Sequence, residues 1–505
     1  MDCQTLTRVS VDKTLNSTFT VIQGPPGTGK TVVGVYIVYC FSKLNSKNPR
    51  KVDDPKDENK KQVILYCPSN KSVDVVAEYL LRFGDILRPL RVYSQQVEML
   101  DYPFPDCNLQ FCQRTLRQER AKPELSLTLC IELALQKRAE LRHIQLSFEE
   151  LEDLQRSQLA LEQIEELTAV DVKEYKILLI DARTYELKHH DIILCTCTQS
   201  STPSLTKTAS ARQILIDECG MATEPQALIP LVCNNPEKIV LIGDHKQLQP
   251  IVKNAHVKKL GMAKSLFERY YTIHKKRAVI LDTQYRMHED ICNFPSNEYF
   301  EGMLRTGVEQ PSSVLRVGDR TMPIVFGDIE GTTVRLVVNT AKGNENSKAN
   351  QEERNKVVDI AEKLVKTAKV EQQCIVILSP YNAQVSEIKD KLKEKTMDRI
   401  TVTTITKSQG SEWRYVIITT VCSLPREVIE SEPDGAWPSK HLGFVGYPNQ
   451  VNLGITRAKE GLCIIGNQRL LSCSGTRRKL LSHFKLQDAV ADADKISVHG
   501  AVQDS

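Results

Sequence analysis

The sequence contains no apolar run long enough to cross a membrane. Its longest apolar stretch, 32–41, is only about half of the ~20 residues that a membrane-spanning helix needs. Residues 1–18 also lack the basic-then-apolar pattern of a signal peptide. We therefore expect a cytoplasmic or nuclear protein with no membrane partner.

The chain also lacks a strong excess of charge of either sign. Its formal net charge is +4 over 505 residues, and the basic residues are spread rather than clustered. This balance permits a nucleic-acid partner but does not indicate one. Composition is that of an ordinary globular protein, with 41% hydrophobic and 26% charged residues. The length exceeds what one compact core usually accommodates, so we expect two or three domains.

The 15 cysteines do not fall in the spacings of a zinc site. Pairs such as Cys107/Cys112 and Cys195/Cys197 have no histidines placed to complete a tetrahedral set. Others, such as Cys463, lie within apolar runs. We therefore predict buried free thiols in a reducing compartment, and no structural zinc in this chain.

Residues 23–31, QGPPGTGKT, fit the pattern G-x-x-x-x-G-K-[ST] of a phosphate-binding loop. A β-branched run, 19–22, precedes the loop, and a helix-length apolar segment follows it, so a helix N-terminus would point at the phosphates. Glycines let backbone N–H groups surround phosphate oxygens, while the lysine reaches the β- and γ-phosphates and the threonine binds Mg²⁺. The predicted phosphate-binding residues are Gly24, Pro25, Pro26, Gly27, Thr28, Gly29, Lys30 and Thr31.

An acidic pair follows a second strand-like run, QILIDE at 213–218. Asp217 is placed to hold Mg²⁺ through water, and Glu218 to polarise the attacking water as a general base. One such strand end is a weak signal, but it is a strong one when a phosphate loop precedes it. The long interval between Lys30 and Asp217 predicts an insertion within this domain.

Further short motifs occur in a fixed order along the chain. They are LYCPSNKSVDVVAEYL (65–80), LIDECGMATEPQALIPLV (215–232), GDHKQLQP (243–250), AKSLFERY (263–270), QYRMH (284–288), SQGSE (408–412) and GITRAKEGLCIIGN (454–467). With the phosphate loop, this series resembles superfamily-one helicases of the up-frameshift-like branch, and most of all the helicase-with-zinc-finger group. The resemblance covers about 20–470, except for roughly 101–190.

The resemblance implies an α/β fold with two RecA-like parallel-sheet domains in tandem, the P-loop NTPase helicase core, with a helical insertion in the first. We place the first domain at 1–100 and 191–275 and the insertion at 101–190. The second domain then spans 276–475, and 476–505 is a partly disordered C-terminal tail.

Local patterns in the second half agree with a parallel sheet. Runs 374–380, 415–421 and 461–467 are β-rich and apolar, as buried parallel strands are. Segment 347–368 predicts an amphipathic helix with a polar start. Residues 425–448 contain proline, glycine and acidic residues, and we expect an exposed loop there.

The resemblance also assigns roles at the ATP site. Arg286 and Arg457 match the arginine fingers of the family, and Gln247 matches its γ-phosphate sensor. Arginine suits the finger role because its planar fork bonds two phosphate oxygens and keeps its charge. Tyr285 matches the aromatic residue that stacks on adenine, and Glu412 matches a carboxylate near the ribose.

Polar loops at strand ends are the candidates for a nucleic-acid track. Hydroxyls, amides and backbone N–H groups bond phosphates and sugars, so such loops grip a strand without reading its sequence. Any one of these loops is equally well explained as a simple turn. The candidate residues are Pro68, Ser69, Asn70, Thr196 and Thr198 in the first domain, and Pro380, Tyr381 and Thr404 in the second.

The family resemblance predicts an ATP-dependent helicase or translocase on single-stranded RNA, with 5′-to-3′ movement implied by the family. A DNA helicase of the same branch is an alternative, because no reader of the RNA 2′-hydroxyl can be identified in the sequence. A transcriptional coactivator or other regulatory protein with this ATPase fold is a second alternative. Protein partners in RNA decay or transcription are compatible with either.

Overall fold

The computed structural model describes residues 11–47, 62–83, 87, 89–94, 169–309, 313–340, 343–430, 433 and 437–500. The chain divides into two compact units. The first comprises Met1–Gln23, Lys30–Gly243 and Pro250–Ile280, and the second comprises Gly24–Gly29, Asp244–Gln249 and Leu281–Ser505. Within the described ranges, no helix combines the length and apolar character that a membrane span requires.

The first unit alternates strands with helices. In chain order its elements are β1 (Phe19–Gln23), α1 (Lys30–Lys47), β2 (Gln62–Cys67), α2 (Asn70–Leu81), β3 (Pro89–Arg91), α3 (Ala169–His189), β4 (Ile192–Thr196), α4 (Pro203–Thr208), β5 (Ala211–Ile216), α5 (Glu224–Cys233), β6 (Lys238–Gly243), a helical turn at Ala255–Val257, α6 (Leu266–Ile273) and β7 (Val279–Ile280). The strands form one parallel sheet in the order β3-β4-β2-β5-β6-β1-β7.

This sheet consists of apolar runs buried on both faces, as expected of a parallel sheet covered by helices. Strand β2 is buried along its whole length, and α1 begins directly after the glycine-rich loop, as the sequence predicts. Because neighbouring parallel strands end at the same edge of a sheet, the carboxyl ends of β5, β6 and β1 lie side by side. The residues that follow these ends are Asp217, Asp244 and Gly24, in that order.

The second unit contains a second parallel sheet. Its elements are β8 (Thr283–Gln284), α7 (Glu289–Tyr299), β9 (Arg305–Thr306), β10 (Leu315–Val317), β11 (Arg320–Thr321), β12 (Ile324–Asp328), β13 (Thr333–Thr340), β14 (Gly343–Asn350), α8 (Gln351–Lys366), β15 (Ile375–Ser379), α9 (Asn382–Glu394), β16 (Thr401–Thr404), β17 (Trp413–Thr419), α10 (Trp437–Leu442), α11 (Pro448–Ile455), β18 (Ala458–Gly466), α12 (Gln468–Leu471), α13 (Gly475–Leu486), β19 (Val490–Asp492) and β20 (Ile496–Val498). The order of the main sheet is β16-β15-β17-β18-β12-β19.

All pairings in the main sheet of the second unit are parallel. The predicted strands 374–380, 415–421 and 461–467 are β15, β17 and the second half of β18. The prediction of an α/β fold with two parallel sheets in tandem is therefore confirmed. Most of the predicted insertion, 101–190, lies outside the described residues, which include only its last helix, α3, and residue 190.

The helix predicted over 347–368 begins later than expected. Residues 347–350 belong to β14, which pairs with β13 in an antiparallel hairpin. The helix starts at Gln351 because Asn350 caps it, its side chain accepting a hydrogen bond from the N–H of Glu353. A polar run such as 347–350 can form either a helix or a β-strand. Here it forms a strand because it pairs with β13.

Two further predictions in the second unit need correction. The expected exposed loop at 425–448 contains α10, and the side chains of Leu442 and Val445 are buried. The segment expected to be a partly disordered tail carries α13, β19 and β20, and β20 pairs with β10. Among its apolar residues, Leu480, Leu481, Phe484 and Ile496 are buried, whereas Leu486 is exposed, so a few buried side chains anchor these elements.

A fully buried carboxylate lies at the carboxyl end of β17. Glu353, in the first turn of α8, accepts hydrogen bonds from Thr419 Oγ1 at 2.6 Å and from Val421 N at 2.8 Å. Burial raises the pKa of Glu353 to about 7, although these hydrogen bonds oppose the rise. Val421 has a φ of 67°, which is unusual for a β-branched residue, and its N–H donates to the Glu353 carboxylate, which holds this backbone in place.

Candidate nucleotide site and nucleic-acid interface

The phosphate loop connects β1 to α1 and takes the backbone conformation that its glycines permit. Gly27 and Gly29 both have a φ of 77°, where an L side chain is strained. The Thr28 hydroxyl donates to Pro25 O at 2.8 Å and closes the first turn of the loop. This backbone conformation and this turn are of the kind that lets successive N–H groups surround a phosphate.

Within the second unit, the loop residue Gly27 lies against the segment 284–286. The backbone N–H of Tyr285 donates to Gly27 O at 2.8 Å. A Cβ atom at position 27 would lie 2.9 Å from the Cβ of Arg286, so only glycine fits here without a shift. The structure thus brings the predicted finger Arg286 next to the predicted phosphate loop.

Tyr285, predicted to stack on adenine, is half-buried, and its ring edge lies over Gly307. A Cβ atom at position 307 would approach Tyr285 Cε1 to 2.6 Å, so the glycine makes room for the ring. No sequence motif had singled out Gly307. Its role depends on a contact with a residue from another segment of the chain.

In the first unit, the structure brings Thr31 and Asp217 together. The Thr31 hydroxyl donates to Asp217 Oδ2 at 3.4 Å, and Asp217 Oδ1 accepts from the backbone N–H of Glu218 at 2.8 Å. Burial, reinforced by the charge of Glu218, raises the pKa of Asp217 to about 7. A nearby cation would favour the ionised form of this carboxylate, and a hydroxyl and a carboxylate oxygen are ligands that Mg²⁺ takes.

Glu218, the predicted general base, has a left-handed backbone with a φ of 51°. This conformation is uncommon for a residue other than glycine, and such residues cluster at functional sites. It starts a 3₁₀ turn at Cys219–Met221 and turns the chain sharply after β5. Lys30 is the first residue of α1, immediately after the loop.

In the second unit, Gln247 and Arg457 are both buried and lie within hydrogen-bonding reach of each other. The Gln247 amide donates to Asp244 Oδ2 at 2.8 Å, and its Oε1 accepts from the Arg457 guanidinium at 3.4 Å. The same guanidinium also donates to Leu453 O and Ser411 O, each at 3.1 Å. The predicted phosphate sensor and the second predicted finger thus form one network.

Helix α11 holds the segment that carries Gln247. The side-chain amide of Asn449 donates to Gln247 O, and that of Asn452 donates to Lys246 O at 2.8 Å. Neither asparagine was predicted as a site residue. Their contacts join residues about 200 positions apart, which a local motif does not reveal.

Glu412, predicted to lie near the ribose, instead contacts two cations in this structure. Arg286 Nε lies 2.5 Å from Glu412 Oε2, and Lys459 Nζ lies 2.8 Å from Oε1. Partial burial favours the neutral acid, but the charges of Arg286 and Lys459 outweigh it and lower the pKa of Glu412 to about 2. The ribose contact stays a prediction.

The predicted nucleic-acid residues of the first unit lie together at the carboxyl edge of its sheet. Strands β2 and β4 pair with Cys67 opposite Thr196, so Pro68–Asn70 and Thr196–Thr198 follow adjacent strand ends. Ser69 caps α2, and Asn70 Oδ1 accepts from Arg91 at 2.8 Å. The exposed member of this group is Thr198, while the others are half-buried.

The predicted residues of the second unit also lie at one sheet edge, but two of them are buried. Strands β15 and β16 pair with Ser379 opposite Thr404, and Pro380 follows β15. Tyr381 is only 7% exposed, and its hydroxyl lies 3.5 Å from the thiol of Cys422. Thr404 is 8% exposed, so neither side chain is displayed on the surface as the sequence suggested.

The two units build the same turn at this edge, with T-C-T-Q-S at 196–200 and T-I-T-K-S at 404–408. Thr196 and Thr198 share a hydroxyl hydrogen bond at 3.3 Å, and Thr404 and Thr406 share one at 3.2 Å. In both turns the closing serine hydroxyl donates to the carbonyl three residues earlier at 2.6 Å.

The match extends to the strand that pairs with the one before each turn, β2 in the first unit and β15 in the second. In the first unit this strand ends at the cysteine of C-P-S-N, and in the second it ends at the serine of S-P-Y-N. The second residue of each turn, Cys197 or Ile405, donates its N–H to the carbonyl of the last residue of that strand at 3.0 Å. Thr406 and Lys407 are exposed on the second turn, and sequence reasoning missed both as contacts. Thr406 could have been predicted from the sequence by aligning T-I-T-K-S with T-C-T-Q-S, because it occupies the same place as Thr198.

Two family models, both described as AAA domain, match this chain, one over residues 6–255 and the other over 262–469. Among curated proteins, the 3′-5′ exoribonuclease HELZ2 of Mus musculus is 43% identical over 497 residues. The Arabidopsis thaliana regulator of nonsense transcripts 1 homolog and the Schizosaccharomyces pombe ATP-dependent helicase upf1 are each 29% identical, over 489 and 488 residues. The chain belongs to the up-frameshift-like branch of the superfamily-one helicases.

These matches take in nearly all of this chain but only part of each relative. They cover 97% of the chain and 16% of mouse HELZ2, 96% and 34% for the A. thaliana protein, and 94% and 45% for S. pombe upf1. Among solved structures, the PRRSV helicase aligns with 92% of this chain and 55% of its own, at 12% identity and a TM-score of 0.37. The family predicted from the motifs is confirmed, and it is a nucleotide-binding family.

Proposed function

We propose that this chain is an ATP-dependent helicase or translocase that moves 5′ to 3′ on single-stranded RNA. The observation that carries the proposal is the pair of matching threonine turns, one at the carboxyl edge of each sheet. A protein that steps along a strand needs equivalent backbone grips on two bodies, and each unit supplies one. The phosphate loop and its acidic partner supply the means to use ATP.

In the first unit, Lys30, Thr31, Asp217 and Glu218 would act on the triphosphate. Lys30 follows the loop and would neutralise charge on the β- and γ-phosphates. Thr31 and Asp217 would hold Mg²⁺, which supplies positive charge to the phosphate oxygens when bound. Glu218 would accept a proton from the attacking water.

The second unit would stabilise the charge that develops in the transition state. Arg286 and Arg457 are fixed cations that would bond the γ-phosphate oxygens, a role whose benefit appears mainly in the transition state. Gln247 contacts Arg457 and would orient the attacking water. Tyr285 would stack on adenine, and Glu412 would approach the ribose.

On the nucleic acid, Thr198 and Thr406 would donate hydroxyl hydrogen bonds to backbone phosphates. The same edges would be lined by Pro68, Ser69, Asn70, Thr196 and Pro380, and binding would be nearly independent of base sequence.

RNA is favoured over DNA as the bound nucleic acid because the names of the relatives refer to transcripts and to an exoribonuclease. Such an activity belongs in the cytoplasm or the nucleus, with partners in RNA decay or transcription.

The test is ATP hydrolysis by the purified chain with single-stranded RNA, single-stranded DNA, or no strand. We expect Mg²⁺-dependent turnover that rises when RNA is added. Equal stimulation by DNA would favour the DNA-helicase alternative. A hydrolysis rate that neither RNA nor DNA changes would favour the regulatory alternative. No turnover under any condition would refute the proposal.

A double variant tests whether the two threonine turns bind the nucleic acid. Thr198→Ala/Thr406→Ala removes two hydroxyls worth about 0.5–1.5 kcal/mol each, so the affinity for the nucleic acid should fall by about 5- to 150-fold. The control is Thr272→Ala, which removes an exposed hydroxyl that bonds Glu268 O on α6, away from the strand ends. Hydrolysis without a strand should be unchanged in both. Wild-type affinity in the double variant would remove these turns from the track.

A further inference from the structure

The carboxylate of Glu412 is shared by two cations from two other segments of the second unit. Arg286 contacts one oxygen at 2.5 Å and Lys459 contacts the other at 2.8 Å. The Arg286 side chain is 14% exposed, while Glu412 and Lys459 are about equally accessible at 40% and 39%. Each oxygen of the carboxylate thus has its own cationic partner, and only one of these partners is a predicted finger.

The backbone fixes this arrangement. The N–H of His288 donates to Lys459 O at 2.7 Å, which ties the residue two positions after Arg286 to the start of β18. Trp413, next to Glu412, donates its N–H to Arg457 O at 3.0 Å. The three charged residues therefore start from backbone segments that are hydrogen-bonded to one another.

This inference rests on the proposed function, in which Arg286 bonds the γ-phosphate during hydrolysis. In this structure two of its guanidinium nitrogens are engaged, Nε with Glu412 and Nη1 with Thr456 O at 3.1 Å, so a bidentate bond to the γ-phosphate through Nε and Nη2 requires Arg286 to give up Glu412. Without a second cation, its departure would leave a half-buried negative charge uncompensated, which is costly. Lys459 is already in contact with the other oxygen and can compensate the charge alone.

We propose that Lys459 is a positioning residue that keeps Glu412 compensated, so that Arg286 can exchange this carboxylate for the γ-phosphate. Glu412 holds the finger in place before ATP binds, and Lys459 lowers the cost of releasing it. Arg286 and Lys459 together hold the pKa of Glu412 below its usual range, as expected of a carboxylate that both cations contact.

A neighbouring ion pair provides a matched control. Arg414 on β17 and Glu460 on β18 lie two residues after Glu412 and one after Lys459, and their side chains contact each other at 2.6 Å. Arg414→Ala therefore breaks an ion pair between β17 and β18 without touching the carboxylate that holds Arg286. Its effect on turnover should be small.

The first experiment compares Lys459→Ala in the wild-type chain and in a Glu412→Gln chain, measuring kcat and KM for ATP with single-stranded RNA. In the wild-type chain the change should lower kcat by about three- to tenfold with little change in KM, because Glu412 then holds Arg286 more tightly. In the Glu412→Gln chain it should have almost no effect, since no carboxylate remains to be compensated. Equal effects in both chains would overturn the proposal.

The second experiment needs no catalysis. It measures urea unfolding of the nucleotide-free chain with Arg286→Ala, Lys459→Ala and both together. Either single change leaves Glu412 with one cation, whereas the double change leaves it with none. The double variant should lower the folding equilibrium constant by at least about twofold more than the product of the single effects. Independent effects would show that the two cations do not share the carboxylate.

The two experiments separate the two failures. A wild-type chain that hydrolyses no ATP refutes the proposed function, and the unfolding comparison then decides by itself whether Glu412 is shared. Normal hydrolysis with equal Lys459→Ala effects in both chains refutes the inference and leaves the proposed function intact.

Discussion

Replacing Gly27 with alanine should destabilise the chain more than the same change at Gly29. Both glycines have a φ of 77°, so alanine is strained equally at each position. They differ in their surroundings. A Cβ at Gly27 would lie 2.9 Å from Arg286 Cβ, whereas nothing lies within 4 Å of a Cβ at Gly29. The pair therefore separates backbone strain from the contact with Arg286.

The expected size follows from these two terms. Left-handed backbone costs an L residue about 1–2 kcal/mol, and the lower entropy of the unfolded alanine chain returns about 0.4–1 kcal/mol. Gly29→Ala should thus cost about 1 kcal/mol. The Gly27 site adds a forced shift of the Arg286 backbone, for which overpacking data suggest about 1–3 kcal/mol more. Gly27→Ala should therefore cost about 2–4 kcal/mol.

The assay is urea denaturation of the nucleotide-free chain, followed by circular dichroism, for the wild type and both variants. Nucleotide is left out because both glycines belong to the predicted phosphate loop. If the two substitutions cost the same free energy, Gly27 is not packed against Arg286 as the structure shows. A larger cost at Gly29 would contradict the reasoning more strongly.

Three further predictions concern the ATP residues and one buried acid. Lys30→Ala should abolish turnover, and Glu218→Gln should still bind ATP but turn over at least ~100-fold more slowly, as measured by steady-state hydrolysis and nucleotide binding. Arg286→Ala and Arg457→Ala should each lower kcat far more than ATP affinity, and unchanged kcat in both folded variants would remove them from the finger role. Glu353 has its folded pKa raised from 4.5 to about 7, so its stabilising contribution is full below pH ~4.5 and is lost as pH rises through ~7. Relative to Glu353→Gln, the wild type should lose about 3 kcal/mol of unfolding free energy across that window, and parallel pH profiles in urea denaturation would contradict this.

Local patterns predicted much of the fold and led to two candidate site residues that the structure brings together. The apolar strand before QGPPGTGKT and the helix after it are short-range signals, and the structure has both as β1 and α1. Asp217 was identified because it directly follows an apolar strand, and the structure places it within 3.4 Å of Thr31. In each case the sequence string and the structural element are the same few residues.

Long-range contacts decided what the sequence could not show. Tyr381 is buried because its hydroxyl meets Cys422, 41 positions away. Arg286 and Glu412, which pair directly, are 126 positions apart. The start of helix α8 depends on a partner strand and a cap rather than on helix propensity. Such features follow from tertiary packing, and no periodicity in the sequence encodes them.

The central claim is ATP-driven movement along a single RNA strand, and strand displacement measures it most directly. The assay offers the purified chain two RNA duplexes of the same sequence, one with a 5′ single-stranded tail and one with a 3′ tail, with ATP and Mg²⁺. The account predicts displacement of the 5′-tailed duplex, little displacement of the 3′-tailed one, and none of either with Glu218→Gln. Displacement of the 3′-tailed duplex alone would contradict the direction, and displacement that persists in Glu218→Gln would contradict the ATP-driven mechanism.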